Sequence, residues 1–220
     1  MSVDLRLYAL VDPDRSGGHD LADLSRSLAQ GGATLLQLRD KTGSTKRMIE
    51  QARAIKQALS GTSVPLLVND RVDVALAAGA DGVHIGWDDM PVADARRLLG
   101  REAIIGLSLK TREQVQAAPF DLLDYVCIGG VFETTSKDNP DQPVGVGGFA
   151  QLAAMVRARA PQIPVGAIAG IDENNAADVM TAGADGIAVI SALSLSQNPA
   201  QAAARLRAIV DRGLDRRGAA

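Results

Sequence analysis

The sequence predicts an α/β protein folded as a single (β/α)8 barrel, the TIM-barrel architecture, over residues 1–220. Three observations carry that prediction: eight short apolar runs, amphipathic stretches between them, and an internal echo four units apart. The runs, rich in Val, Ile and Leu, lie at residues 6–12, 34–40, 65–70, 82–86, 103–109, 125–130, 164–170 and 186–191. They are near-continuously apolar rather than alternating, as expected of parallel strands buried on both faces.

The elements follow in order. After the first run, residues 20–30 place Leu21, Leu24 and Leu28 on one helical face and stop at Gly31. The second run ends Gln37-Leu38-Arg39-Asp40-Lys41. Its helix, residues 45–59 with Thr45 as expected N-cap, aligns Met48, Ala52, Ile55 and Leu59. The third run ends Asn69-Asp70, and the helix after it should stop at Gly79. The fourth reaches His84-Ile-Gly86 and continues through Trp87 to Asp88-Asp89. Ser108 lies on the fifth, with Lys110 nearby and Thr111 as the next N-cap. The sixth contains Cys127 and leads into the longest irregular stretch, residues 131–147. The seventh ends at Gly170, followed by Asp172 as expected N-cap and a helix stopping near Gly183; the eighth ends at Ser191. Residues 210–220 read as a frayed, solvated tail.

The echo is Ala78-Gly-Ala-Asp-Gly82 before the fourth strand and Ala182-Gly-Ala-Asp-Gly186 before the eighth. The same helix-end and strand-start chemistry recurring four units apart favours a closed barrel over an open doubly wound sheet. No linker divides the chain.

A net charge of −3 speaks against non-specific binding to nucleic acid or anionic membrane. One cysteine excludes an internal disulfide and a multi-cysteine metal site, and suits a reducing cytoplasm. The N-terminus is too short and acidic for a signal peptide, and no apolar run has transmembrane length. The expectation is a soluble cytoplasmic domain acting on small molecules, with no nucleic-acid or membrane partner; homo-oligomer formation stays open.

Polar side chains gather at the C-terminal ends of the strands, while the opposite ends begin with Pro, Gly and Ala. That asymmetry points to an enzyme, since barrel active sites lie at the C-terminal rim. Arg39 and Lys41, two residues apart, share a face if the strand stays extended, and a guanidinium fork beside a mobile ammonium suits a diphosphate. Charged residues also end many strands without binding anything. Asp70 and Asp89 end adjacent strands, so their carboxylates can converge on a hard divalent cation such as Mg²⁺. Asp70 alone could instead cap the next helix. Thr134, Ser136 and Lys137 form a loop able to wrap phosphate, and Gly170 and Ser191 match the usual barrel phosphate site. His84 reads better as a hydrogen-bonded interior histidine than as a catalyst, and Cys127 as packing.

These residues, in this order, resemble the thiamine-phosphate synthase family. The motifs are QLRDK at 37–41, VND at 68–70, HIGWDD at 84–89, GLS at 106–108, TTSK at 134–137, and AGI with DGIAVIS near the end. The resemblance implies that Gln37, Leu38, Arg39, Asp40, Lys41, Asn69, Ser108 and Lys137 bind hydroxymethylpyrimidine diphosphate. Within that set, Arg39, Lys41, Ser108 and Lys137 are the expected catalytic residues. It implies Mg²⁺ on Asp70 and Asp89, and thiazole phosphate on Thr134, Thr135, Ser136, Gly170, Ile190 and Ser191. Four positions depart from the family pattern: Trp87 for Gln, Gly130 and Glu133 for prolines, and Ala169 for glycine. Two alternatives stand beside the synthase: a thiazole tautomerase on the same fold, which needs neither diphosphate nor metal, and a non-catalytic phosphate-binding regulator.

Overall fold

The computed structural model describes residues 3–134 and 142–219. Eight parallel strands close in sequence order into a barrel. They are β1 (Leu7–Val11), β2 (Leu35–Leu38), β3 (Leu66–Asn69), β4 (Gly82–Ile85), β5 (Ile104–Leu109), β6 (Tyr125–Ile128), β7 (Val165–Ile168) and β8 (Gly186–Val189). The helices are α1 (Leu21–Gln30), α2 (Thr45–Ala58), α3 (Val72–Ala78), α4 (Val92–Leu99), α5 (Arg112–Ala117), α6 (Gly145–Arg159), α7 (Ala176–Thr181), α8 (Ser191–Ser194) and α9 (Pro199–Gly218). Among the described residues no helix is long and apolar enough to cross a membrane.

Side chains alternate between two buried environments, which is why the strands read as unbroken apolar runs. Leu7, Ala9 and Val11 of β1, Leu36 and Leu38 of β2, and Val126 and Ile128 of β6 pack outward against the helices. Tyr8, Leu10, Leu35, Leu67, Tyr125 and Cys127 fill the lumen.

A repeated clamp joins the strands in pairs at their N-terminal ends. Asp81 Oδ2 accepts from Leu66 N, Asp124 Oδ2 from Ile105 N and Asp185 Oδ2 from Val165 N, each at 2.8 Å. Thr34 Oγ1 plays the same part for Leu7 N at 3.1 Å. Each aspartate also meets a cation from the helix at that edge: Lys56 at 2.7 Å, Arg96 at 2.7 Å and Arg157 at 3.0 Å. The Ala-Gly-Ala-Asp-Gly echo is the sequence trace of two of these clamps. Its aspartate satisfies a strand-edge N–H that the ladder leaves unpaired.

Several local expectations are corrected. The cap of α2 is Ser44, whose Oγ accepts from Arg47 N at 3.3 Å, so Thr45 is the first helical residue. Asp172 does not cap α7: its side chain accepts from Asn174 N at 2.8 Å in a local turn, and the helix starts at Ala176. Residues 210–218 do not fray but complete α9. Arg217 ties them down by donating to the Gly183 and Ala184 carbonyls and to Asp185, and Val210 is fully buried.

Replacing Asp185 with alanine leaves the Val165 N–H, Arg157 and Arg217 without this acceptor. Urea unfolding at neutral pH is expected to show a loss of about 2 kcal/mol. A loss within error of zero would mean that the strand pair closes without the clamp.

Candidate active site

The last inward positions of β2 to β5 are polar: Gln37, Asn69, His84 and Ser108. They floor a cavity of about 950 Å³ at the C-terminal rim, large enough for two small ligands. Arg39, Lys41, Asp70, Asp89 and Lys110 line one side; Thr134, Gly170, Ile190 and Ser191 line the other. Thr135, Ser136 and Lys137 lie outside the described residues. Leu38 packs into the layer between barrel and helices, and Asp40 turns to the backbone, accepting from Thr42 N at 3.0 Å and Gly43 N at 2.7 Å. Neither lines the cavity.

Because β2 ends at Leu38, Arg39 and Lys41 lie beyond the strand, and the shared-face argument does not apply to them. Each nevertheless lines the cavity and is held there by a carboxylate. Arg39 pairs with Asp12, whose side chain is only 3% exposed, at the end of β1. Lys41 Nζ pairs with Asp70 and is itself half exposed. The Arg39 pair is shielded from water and fixes its fork; the Lys41 pair is solvated and weak. Sequence reasoning missed Asp12. Its position at a strand end was the one available signal.

Asp70 adopts φ +58°, a left-handed conformation that aspartate tolerates, and Asn69 Nδ2 donates to its Oδ2 at 2.6 Å. Asp89 returns to Gly86, whose N–H donates to Asp89 Oδ2 at 2.8 Å. Burial, together with the neighbouring Asp70 carboxylate, holds the Asp89 carboxyl above its ordinary value; Gly86 N–H and Lys41 pull it part of the way back. Two facing carboxylates, with no group of three or more acidic, His or Cys ligands among the described residues, are a poor cage for a transition metal. They fit a hard cation that takes its remaining oxygens from water and phosphate.

On the other side, the segment after β6 is hooked onto the end of β7. Val131 N donates to Ile168 O at 3.2 Å and Phe132 N to Ala169 O at 3.1 Å. A Cβ on Gly170 would stand 2.3 Å from the Glu133 carbonyl oxygen, so only glycine permits this approach. Gly130 has φ +71°, which a proline cannot adopt, so this chain takes a turn closed to the family's proline there. Ala169 is strained at φ +91°. Glu133 is exposed at the cavity edge, whereas Trp87 is exposed and does not line it. Cys127 is fully buried and its thiol pKa is pushed up by burial, so it is packing rather than nucleophile.

The family model described as thiamine monophosphate synthase matches residues 7–193. A thiamine-phosphate synthase of Agrobacterium fabrum is 54% identical over 215 residues, 98% of each chain. One of Albidiferax ferrireducens is 45% identical, covering 94% of this chain and 92% of its own. A thiamine phosphate pyrophosphorylase structure from Pyrococcus furiosus superposes with TM-score 0.82 at 34% identity, covering 96% of this chain and 98% of the other.

Two measurements probe the rim. Ala169→Gly relieves the positive φ and should raise stability by about 1 kcal/mol, a shift of roughly 2–4 °C in the thermal midpoint; an unchanged or lower midpoint would contradict the strain. For Asp89 the folded chain binds the proton more tightly than the unfolded one. The stability this contributes is fully present below the ordinary value of 3.8 and is lost as pH rises through the raised folded value. Asp89→Asn stays neutral throughout. Its stability relative to the parent, measured without divalent cations, should therefore grow from about pH 3 to neutrality; a flat difference would show that the Asp89 carboxyl is not held above its ordinary value.

Proposed function

The chain belongs to the thiamine monophosphate synthase family, and on that premise we propose how its rim divides the work of the reaction. The activity couples hydroxymethylpyrimidine diphosphate to thiazole phosphate and releases pyrophosphate, a transferase reaction of thiamine biosynthesis. The relatives compared above are synthases, and neither a tautomerase nor a regulator finds support in them.

The observation that carries the division is one cavity with two chemically distinct sides. The pyrimidine diphosphate lies on the cationic side, with its ring over Gln37, Asn69 and Ser108 and its diphosphate toward Arg39 and Lys41. Asp70 and Asp89 would hold Mg²⁺, which when bound supplies charge neutralisation on the diphosphate oxygens. Lys137 would add a cation from the segment after β6. Thr134, Thr135, Ser136, Gly170, Ile190 and Ser191 take the thiazole phosphate.

In the chemical step the bond from the pyrimidine methylene carbon to the diphosphate oxygen breaks. The electron pair leaves with pyrophosphate, and the thiazole nitrogen gives its pair to the methylene carbon. The protein's task is to stabilise charge on the departing oxygens with Arg39, Lys41 and Lys137, and to keep the two rings in line. No nucleophilic side chain is required. Small phosphorylated substrates and a single buried thiol fit a cytoplasmic enzyme. Leu38 and Asp40 serve through the backbone and the loop they shape.

Purified protein given both phosphorylated halves and Mg²⁺ should form thiamine phosphate and pyrophosphate in equal amounts. Asp70→Asn should lose at least about 100-fold in turnover while its thermal midpoint stays near that of the parent. Proton exchange at the thiazole without pyrophosphate would sink the synthase reading. Full activity in the variant would sink the metal assignment.

A further inference from the structure

Below the cavity floor lies a continuous chain of buried polar groups. Gln37 Nε2 donates to Tyr8 Oη. The Tyr8 and Tyr125 hydroxyls are 2.9 Å apart, Tyr125 Oη is 2.8 Å from His84 Nδ1, and His84 Nε2 is 2.8 Å from Ser108 Oγ. Gln37 and Ser108, the two ends, line the cavity; Tyr8 and Tyr125 do not, and both are buried. Gln37 Oε1 is also buried and has no partner among the described residues.

The path is built rather than incidental. Gly106 stands between His84 and Tyr125 in the strand register. A Cβ there would lie 2.1 Å from Tyr125 Cζ and 2.4 Å from its Oη. The missing side chain lets the tyrosine cross to the histidine, with their rings stacked 28° from parallel.

We propose that Tyr8, Tyr125 and His84 form a directed hydrogen-bond relay that couples the donor or acceptor character of Gln37 to that of Ser108. Its ligand is a ring carrying one donor and one acceptor, an aminopyrimidine. This rests on the functional reading above and adds to it how the ring is recognised. Each tyrosine and the neutral imidazole has one hydrogen to give along the chain. In the structure Tyr8 Oη accepts from both Gln37 Nε2 and Tyr125 Oη, which leaves the Tyr8 hydrogen without an acceptor. Rotating the two phenol hydrogens resolves this, with Tyr8 donating to Tyr125, Tyr125 to His84 Nδ1 and His84 Nε2–H to Ser108 Oγ. The Ser108 hydrogen then turns to the cavity, and Gln37 Oε1, buried and without a partner among the described residues, meets the ligand ring on a swing of the amide. Turning the amide over reverses every bond together. Mixed states leave a buried hydroxyl without an acceptor, so the ends act as a pair. Burial pushes both phenol pKa values upward, so the relay transmits orientation and not charge.

Tyr8, Tyr125 and His84 are positioning residues, and their test is kinetic and spectroscopic. Tyr8→Phe and Tyr125→Phe keep the rings and break the relay. Each should raise KM for the pyrimidine diphosphate about tenfold and leave KM for the thiazole phosphate within about twofold. The double variant should match either single one, because a relay broken once has nothing further to lose. Multiplying effects, or equal effects on both substrates, would overturn the relay in favour of packing. In the unmodified protein, ¹⁵N NMR of the two histidines, His19 and His84, gives a second readout. With pyrimidine diphosphate bound, His84 should hold one neutral tautomer; an exchanging mixture or a charged ring would overturn the proposal. Failure of the unmodified protein to turn over removes the functional reading itself. Normal turnover with additive variants removes the relay alone.

Discussion

The structure depends on closing eight strands into a barrel in fixed register. Closure assigns every strand residue to the lumen or to the helix layer, with no solvated face left over. Lumen positions toward the N-terminal ends are filled by Leu, Tyr and Cys, and the final inward position on β2 to β5 becomes the cavity floor. A polar residue at that level is nearly cut off from water, so it must find a partner within the barrel or in a ligand. Gln37, His84 and Ser108 do so through two tyrosines. The aspartate clamps at the opposite end hold the register on which this alignment rests.

The rim divides into sides that solve different problems. On β2 to β5 charge is balanced pairwise: Arg39 against Asp12, Lys41 against Asp70, with Asp89 held above its ordinary titration range beside them. On β6 to β8 the material is backbone. Close approach at Gly170 and positive φ at Gly130 and Ala169 bring main chain where side chains would block it. Side chains at these positions would fill the space that the main chain occupies, which explains the glycine-rich composition. Ala169 shows that the geometry is imposed from outside the residue: its carbonyl accepts from Phe132 N, and that bond persists against an unfavourable φ.

Much of this was legible in the residues because it follows from local rules. The apolar runs, the glycines ending α1 and α3, and the Ala-Gly-Ala-Asp-Gly turns are each dictated within a few positions. Arg39, Lys41, Asp70 and Asp89 were legible as a set because barrel topology brings strand ends together. Partners distant in sequence were not. Nothing near Asp12 announces Arg39, and Tyr8 and Tyr125, 117 positions apart, read as ordinary core. The tail after Val210 looked solvated because its charges are dense. Arg217 spends its charge on the carbonyls at the end of α7 and on Asp185, which no local pattern reveals.

The pairwise balance on the cationic side also constrains how the site can be filled. A diphosphate arriving alone would meet Asp70 and Asp89 as like charges, while Lys41 is already engaged by Asp70. On the proposed function Asp70 and Asp89 would hold a divalent cation, whose charge would offset the repulsion between them and with the diphosphate. Arg39 behaves differently, because Asp12 is too buried to let go without a large desolvation cost. It therefore keeps its carboxylate and offers only its remaining N–H groups, as a fixed directional contact rather than a mobile charge. On the proposed function, Arg39 would orient the diphosphate as a fixed contact and Lys41 would supply the mobile charge.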